Sequence, residues 1–146
     1  MIQVLLQVSG GSAERRVYDE RTLEYKETRL GHHPYPYPYG FILGTRGKDG
    51  DSVDCYIITH DDLPAGSIVE CEPIGMLEQI EDDEVDHKVL AVLPGEQVEL
   101  NSDLVEELRT FIQSIFAEYP GMHVTVGNAL SPEDALRHIE ELREKS

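Results

Sequence analysis

Residues 49–59, DGDSVDCYIIT in one-letter code, form the stretch on which the fold prediction rests. The stretch begins with an acidic turn, where Gly50 lets the chain reverse direction, and continues into an apolar, β-branched segment typical of a buried strand. Similar apolar runs, each bounded by Gly, Pro or Asp clusters, occur at residues 2–8, 67–80 and 88–93. The middle of the chain is therefore predicted to be β-structure.

Two unusual segments lie between the first strand and the acidic turn. A heavily charged ribbon covers about residues 15–29. It is followed by residues 34–40, PYPYPYG, which are predicted to form an extended loop because prolines remove hydrogen-bond donors and disfavour helix. The tyrosines of this loop would either pack on the core or face a site.

Two helices are predicted in the last third of the chain. Apolar side chains recur at helical spacing over residues 104–115, where Asp103 and Glu106 would cap the start. Ser131 followed by Pro132 is typical of the start of a second helix. The predicted order is five or six strands followed by two helices packed against the sheet or barrel.

The composition bounds the functions that the chain can have. The 146 residues, 40% of them hydrophobic, suffice for one domain over residues 1–146. There are 29 Asp and Glu against 12 Lys and Arg, and the formal net charge of -17 disfavours binding to nucleic acid or to an anionic membrane. The only cysteines are Cys55 and Cys71, and the start of the chain does not resemble a signal peptide, so a reduced, cytoplasmic protein is expected.

Three carboxylates, those of Asp49, Asp51 and Asp54, are spaced i, i+2 and i+5 across the acidic turn. Because Gly50 permits a tight turn, the first two can converge while Asp54 returns along the strand. Carboxylates a few ångströms apart do not all stay ionised unless a cation lies among them. Two interpretations remain open here: a solvated hairpin connection, or a site for a hard cation, for which Mg²⁺ fits a sparse carboxylate set best.

A second acidic run, EDDEVD at residues 81–86, comes directly before an apolar strand. Alone, such a run is usually a solvated loop. Here, however, Asp86 and Lys88 share one face of the chain, because side chains alternate along a strand. Next to the acidic turn, the two would provide a metal ligand and an ammonium group that binds phosphate.

Four motifs in this part of the chain resemble those of the family I inorganic pyrophosphatases. In chain order they are Tyr35-Pro36-x-x-Tyr39-Gly40-Phe41-Ile42, Asp49-Gly50-Asp51-Ser52-Val53-Asp54, Leu63-Pro64-Ala65-Gly66-Ser67-Ile68-Val69 and Asp86-x-Lys88-Val89-Leu90-Ala91-Val92. The resemblance is good over residues 35–94 and weak in the flanks. It implies a mainly β fold, a small five-stranded OB-like β-barrel flanked by two C-terminal helices.

The resemblance also implies an activity, Mg²⁺-dependent hydrolysis of inorganic pyrophosphate to two phosphates by attack of a metal-bound water, with Mn²⁺ as a substitute ion. Pyrophosphate would arrive as its magnesium complex, and a homo-oligomer is implied because bacterial members are commonly hexamers. The implied metal ligands are Asp49, Asp54, Asp86 and Glu81. The implied catalytic residues are Asp51, which takes the proton of the water, Lys88 and Tyr39. The implied substrate-binding residues are Arg16 (or Arg15), Arg29, Tyr39, Lys88 and Tyr119.

Several positions depart from the family pattern. The glutamate of the first strand falls on Gln7 and a second one on Val17 or Tyr18, so two metal-side carboxylates are missing. Ser52 stands at a usual proline, and Pro120 at a usual lysine. A slower or more metal-demanding enzyme is expected. The alternative is a noncatalytic or altered-substrate module that binds divalent metal or phosphate compounds.

Two further features have open interpretations. Glu81 stands where the family has an aspartate, which neighbouring Asp82 could replace. His32 and His33, in the loop before the tyrosines, are either incidental surface residues or a pair of ligands for a transition metal.

Overall fold

The computed structural model describes residues 1–144, over which the chain forms nine strands and two helices. In chain order these are β1 (Ile2–Val8), β2 (Glu14–Tyr18), β3 (Tyr25–Leu30), β4 (Tyr39–Ile42), β5 (Asp54–Ile57), β6 (Ile68–Glu81), β7 (Glu84–Val85), β8 (Lys88–Val92), α1 (Ser102–Phe116), β9 (Val124–Leu130) and α2 (Pro132–Glu141). No helix in this part of the chain is long and apolar enough to cross a membrane.

Five of the strands form a barrel. Strand β1 pairs with β4, β4 with β5, β5 with β8, and β8 with β6, whose other end returns to β1. Every pairing in this ring is antiparallel except that of β5 with β8. The predicted mainly β fold, with a small five-stranded barrel and two helices, is confirmed.

The sequences of β4, β5 and β8 are mostly apolar because these strands are buried on both faces, whereas β6 alternates between buried and exposed residues over its first half. In β5, Cys55 and Ile57 belong to one core cluster, whereas Tyr56 belongs to a second. Helix α1 covers the second cluster with residues that include Leu108 and Phe111, while α2 packs Ile139 against the first. The two helices therefore close opposite sides of the sheet.

The charged ribbon forms a hairpin outside the barrel. Strands β2 and β3 pair only with each other among the described strands, and every residue of β3 is exposed. The hairpin therefore has little core of its own and depends on side-chain contacts to keep its place against the barrel.

Two details of the last third of the chain differ from the prediction. Helix α1 is capped by Asn101, whose side chain accepts a hydrogen bond from the Leu104 amide, and not by Asp103. Strand β9 was not predicted. It pairs along β6, and its sequence, VTVGNAL, combines a glycine with polar residues, so it lacks the signature of a buried strand. The start of α2 is as predicted, with Ser131 as the cap and Pro132 in the first turn.

Candidate active site

Lys88 is the centre of the candidate site. It begins β8, it is only 5% exposed, and its Nζ donates hydrogen bonds to Asp54 Oδ2 (2.6 Å), Asp86 Oδ2 (3.0 Å) and the Tyr39 hydroxyl (3.2 Å). Burial acts to lower the pKa of Lys88, but Asp54, Tyr39 and Asp86 outweigh it and raise the pKa well above its usual value. The ammonium is therefore charged, and it holds two carboxylates from different parts of the chain side by side.

The acidic turn lies next to this group. Gly50 has a φ of 90°, a left-handed conformation that glycine adopts without strain, and the Asp51 amide donates to Asp49 Oδ1 over 3.0 Å. Asp49, Asp51 and Asp86 line one cavity of about 490 Å³. Partial burial, together with the charges of Asp49, Asp54 and Asp86, raises the pKa of Asp51. Among the described residues, six Asp and Glu side chains line this cavity against a single lysine, Lys48, so its lining carries net negative charge.

This donor set fits a hard divalent cation. Among residues 1–144, no three His, Cys, Asp or Glu side chains are already gathered as a formed metal site. The cavity lining nevertheless includes several carboxylates, the ligands that Mg²⁺ and similar ions prefer. The raised pKa of Asp51 reflects a repulsion that a cation would relieve.

Tyr39 connects the carboxylates to a basic surface. Its ring is buried, with Lys88 Nζ 5.7 Å and Arg15 Cζ 5.6 Å from the ring centre. Burial raises the pKa of Tyr39 well above its usual value, and Asp54 raises it further, so the hydroxyl stays protonated. The Tyr39 hydroxyl can thus donate a hydrogen bond while it accepts one from Lys88.

The arginines of the hairpin point in different directions. Arg15 and Arg29, which are partners in the β2–β3 register, line a second cavity of about 170 Å³ together with Tyr119. The Arg16 side chain is exposed and lies near Tyr18 and Gly66 on the other face of the strand. Between the two candidates for the upstream basic residue, the structure thus places Arg15, and not Arg16, next to Tyr39.

Comparisons with known proteins identify the relatives of this chain. The family model described as inorganic pyrophosphatase matches residues 11–146. The chain belongs to the inorganic pyrophosphatase family. The inorganic pyrophosphatase of Nanoarchaeum equitans is 32% identical over 98% of this chain and 96% of its own length, and that of Sulfolobus acidocaldarius is 30% identical over 96% and 88%. The crystal structure of the inorganic pyrophosphatase from Thermus thermophilus superposes with a TM-score of 0.84 at 25% identity, over 96% of this chain and 87% of that one.

In this pyrophosphatase-family chain, the carboxylates predicted from the second acidic run separate into two groups. Burial raises the pKa of Glu81, and the charge of the nearby Asp86 raises it further. Asp82 instead accepts a hydrogen bond from the His123 amide over 2.9 Å, and its own amide donates to the His123 carbonyl. Asp82 thus joins β6 to the segment before β9.

Other residues singled out in the pyrophosphatase sequence lie at the rim. Arg29 is exposed and forms an ion pair with Glu27 at 2.8 Å, and the Tyr119 side chain is 55% exposed. His32 and His33 border the same cavity as Arg29, with their Nε2 atoms 3.9 and 3.8 Å from Glu118. Together with Glu118 they do not make a metal-ready group.

The sequence analysis missed one pair of residues in this pyrophosphatase, Glu20 and Arg21 at the tip of the β2–β3 hairpin. Glu20 Oε1 accepts a hydrogen bond of 2.7 Å from the Ser52 amide, and Arg21 Nη2 donates to the Gly50 carbonyl over 3.0 Å. The only local signal was Asp19, since an aspartate that starts a polar turn often accepts hydrogen bonds from the next amides. Nothing in that signal indicated contact with the acidic turn.

Proposed function

We propose that this chain hydrolyses inorganic pyrophosphate to two phosphates and uses Mg²⁺, with Mn²⁺ as a substitute ion. The observation that supports this most is the arrangement at Lys88, which holds Asp54 and Asp86 together beside the acidic turn. The supporting comparison is the membership of the inorganic pyrophosphatase family.

The carboxylates have distinct roles in this proposal. Asp49 and Asp86, which line the cavity, would hold the metal together with Asp54, which Lys88 joins to Asp86, and Glu81 would contribute from beside Asp86. When bound, magnesium supplies positive charge for the pyrophosphate oxygens and lowers the pKa of a coordinated water. Asp51 faces the same cavity and, among the described residues, forms no ion pair within 4.0 Å, so its carboxylate is free to accept the proton of the attacking water.

Basic and hydroxyl groups would bind the substrate and stabilise the leaving phosphate. Lys88 and the protonated Tyr39 hydroxyl border the carboxylates, and Arg15 lies above the Tyr39 ring. Arg29 and Tyr119 would bind the distal phosphate from the second cavity. Planar guanidinium groups suit phosphate oxygens because they donate two parallel hydrogen bonds. Arg16 is a less suitable ligand, since its side chain lies on the other face of β2.

The net charge and the cysteines bear on the form of the substrate and the location of the protein. A net charge of -17 supports pyrophosphate binding as a magnesium complex, rather than as the free anion, and argues against nucleic acid as a partner. Cys55 and Cys71 are buried free thiols, which supports a reducing, cytoplasmic location. A homo-oligomer remains part of the proposal by family resemblance.

One observation favours the noncatalytic alternative. Gln7, where the family has a glutamate, is 2% exposed, and its Nε2 donates to the Arg16 carbonyl, so it acts as a structural amide. With fewer carboxylates, the chain could retain one cation site and lose turnover.

A metal titration distinguishes the proposed enzyme from the noncatalytic metal-binding module. Phosphate release from pyrophosphate is measured across micromolar to millimolar Mg²⁺ and Mn²⁺, and Mg²⁺ binding is measured by calorimetry. We expect turnover in the wild type, and we expect Asp51→Asn to lose about 100-fold or more of it while still binding Mg²⁺. Mg²⁺ binding without phosphate release at millimolar metal would establish the module instead.

A further inference from the structure

The tip of the β2–β3 hairpin is fastened to the acidic turn from outside the barrel. Arg21 Nη2 donates to the Gly50 carbonyl over 3.0 Å, and Arg21 Nη1 donates to the Thr45 carbonyl (3.2 Å) and to Ser52 Oγ (3.3 Å). Glu20 Oε1 accepts from the Ser52 amide over 2.7 Å. Four hydrogen bonds thus join two hairpin residues to the segment 45–52, which carries Asp49 and Asp51.

The tip is itself held in shape. Asp19 Oδ1 accepts from the amides of Arg21 (2.8 Å) and Thr22 (2.9 Å), and the Leu23 amide donates to the Asp19 carbonyl over 2.7 Å. Arg21 also forms an ion pair with Glu144. Because these contacts fix the backbone of the tip, its two side chains are directed at the turn before any ligand binds.

The choice of acceptors matters for the chemistry. Arg21 binds backbone carbonyls and a hydroxyl of the turn, and makes no hydrogen bond to the carboxylates of Asp49, the proposed metal ligand, and Asp51, the proposed proton acceptor. The carboxylates repel each other without metal, so an unsupported turn would open. A support that acts on the backbone opposes this opening without occupying the ligand atoms.

Ser52 completes the arrangement. It is buried, and both its amide and its hydroxyl are used, the first by Glu20 and the second by Arg21. A proline at this position would have no N–H to donate and no hydroxyl to accept. The fastening therefore depends on the residue in the middle of the acidic turn.

We infer that Glu20 and Arg21 are positioning residues that keep the acidic turn in its metal-binding shape through Ser52 and the turn carbonyls, an inference that rests on the proposed metal-dependent function. Neither residue is assigned contact with substrate. Their contribution is to lower the free-energy cost of holding the turn in the conformation in which Asp49 binds a cation and Asp51 lies beside it.

Mg²⁺ affinity tests this role directly. We expect Glu20→Ala, which removes one of the four hydrogen bonds, to raise the Mg²⁺ dissociation constant in calorimetry by about three- to tenfold, equivalent to about 0.7 to 1.4 kcal/mol. Ser52→Pro removes two of the four and Arg21→Gln three, so each should raise the dissociation constant at least as much. At saturating Mg²⁺, the KM for pyrophosphate should stay within about twofold of the wild type. Exposed Glu24→Gln and Arg137→Gln are matched controls and should leave the affinity unchanged.

The Mg²⁺ affinities of two further variants can contradict the inference. Glu20→Gln keeps an oxygen that accepts a hydrogen bond from the Ser52 amide, so its Mg²⁺ affinity should be close to that of the wild type. If Glu20→Gln instead loses as much Mg²⁺ affinity as Glu20→Ala, the charge of Glu20 matters and the hydrogen bond does not, which contradicts the inference. The double variant Glu20→Ala with Ser52→Pro should bind Mg²⁺ no more weakly than Ser52→Pro alone, because the hydrogen bond from the Ser52 amide to Glu20 is already absent once Ser52 is proline. Additive losses would contradict the shared mechanism.

The outcome is separable from that of the proposed function. If the wild type releases no phosphate, the enzymatic proposal fails, yet calorimetry still measures whether the hairpin tip supports the metal site. If Arg21→Gln folds, as judged by circular dichroism, and binds Mg²⁺ as tightly as the wild type, the inference is overturned. Should Arg21→Gln not fold, Arg21→Lys, which keeps the charge but loses the planar fork, takes its place in this comparison.

Discussion

Lys88 Nζ lies 2.6 Å from Asp54 Oδ2, and this buried ion pair joins the first residue of β8 to the first residue of the neighbouring strand β5. The same nitrogen binds Asp86 at 3.0 Å. Without the Lys88 ammonium, the carboxylates of Asp54 and Asp86 would repel each other in a partly buried site and would have no positive partner there. The Lys88 ammonium thus contributes to stability and holds the carboxylates of Asp54 and Asp86 together.

Replacing Lys88 by Met should destabilise the metal-free protein by about 3 kcal/mol, the cost of breaking a buried ion pair. In millimolar Mg²⁺ the loss should be smaller, because a bound cation neutralises Asp54 and Asp86 instead. Urea unfolding with a chelator and with Mg²⁺ measures both values. Lys26→Met, which removes an exposed ion pair at 4.0 Å, is the control and should cost less than about 0.5 kcal/mol. Equal losses with and without Mg²⁺ would contradict the prediction.

Arg15 and Arg16 should differ sharply in their effect on substrate binding. Arg15→Gln removes a guanidinium from beside Tyr39, so the KM for pyrophosphate should rise by about 10- to 100-fold, the value of one charge-assisted hydrogen bond. Arg16→Gln alters an exposed side chain on the other face of β2 and should change KM by less than about twofold. Steady-state kinetics at saturating Mg²⁺ provides the comparison, and a larger effect at Arg16 would reverse the assignment.

The close packing of β1 and β4 gives a test of the barrel itself. A Cβ at Gly40 would overlap the carbonyl oxygen of Leu5 and lie 2.8 Å from its carbonyl carbon, and backbone in a strand cannot move aside. Gly40→Ala should therefore destabilise the protein by about 3 kcal/mol in urea unfolding. Gly127→Ala meets only the flexible Glu78 side chain and should stay within about 1 kcal/mol. Similar costs at both positions would show that β1 and β4 do not approach so closely.

The sequence predicted β5 and β8 well because these strands are buried on both faces. Apart from Asp54 and Lys88, residues 53–58 and 88–93 are all apolar, and the structure contains the two strands there. In strand β9 only Val126 is buried, and the strand includes Gly127, so its pattern resembles a loop. Tertiary pairing with β6, which no local pattern encodes, makes it a strand.

The same limit applies to the candidate site. Period-two spacing predicted that Asp86 and Lys88 would share a face, and their side chains do meet. No spacing rule relates Glu20 to Ser52, which are 32 residues apart and meet only because the hairpin folds over the acidic turn. The sequence also did not show whether Arg15 or Arg16 points toward Tyr39. The answer depends on the register of the β2–β3 hairpin, and a hairpin with two polar faces does not specify its register strongly.

His138 in α2 should make the stability of the protein fall in mild acid. Burial lowers the pKa of His138 below its usual 6.5, and the nearby His87 ring, 5.5 Å away between centroids, lowers it further, while Glu141 and Asp86 act in the opposite direction. The unfolded chain therefore binds a proton at a higher pH than the folded protein. It follows that the free energy of unfolding decreases as the pH falls through 6.5 toward the lower pKa of the folded state.

The His138→Gln variant removes this titration, so its free energy of unfolding should fall less than that of the wild type between pH 7.5 and 5.5. Urea unfolding of the metal-free protein at each pH measures the difference. Glu20, Asp51 and Glu81 have raised pKa values in the folded state and give the opposite slope, but they are present in both proteins and cancel in the comparison. His123→Gln, at an exposed position before β9, should follow the wild type. If the free energy of unfolding changes with pH in the same way for the wild type and His138→Gln, then His138 titrates alike in the folded and unfolded chain. That result would mean that the contact between α2 and the segment carrying Asp86 does not bury the His138 imidazole.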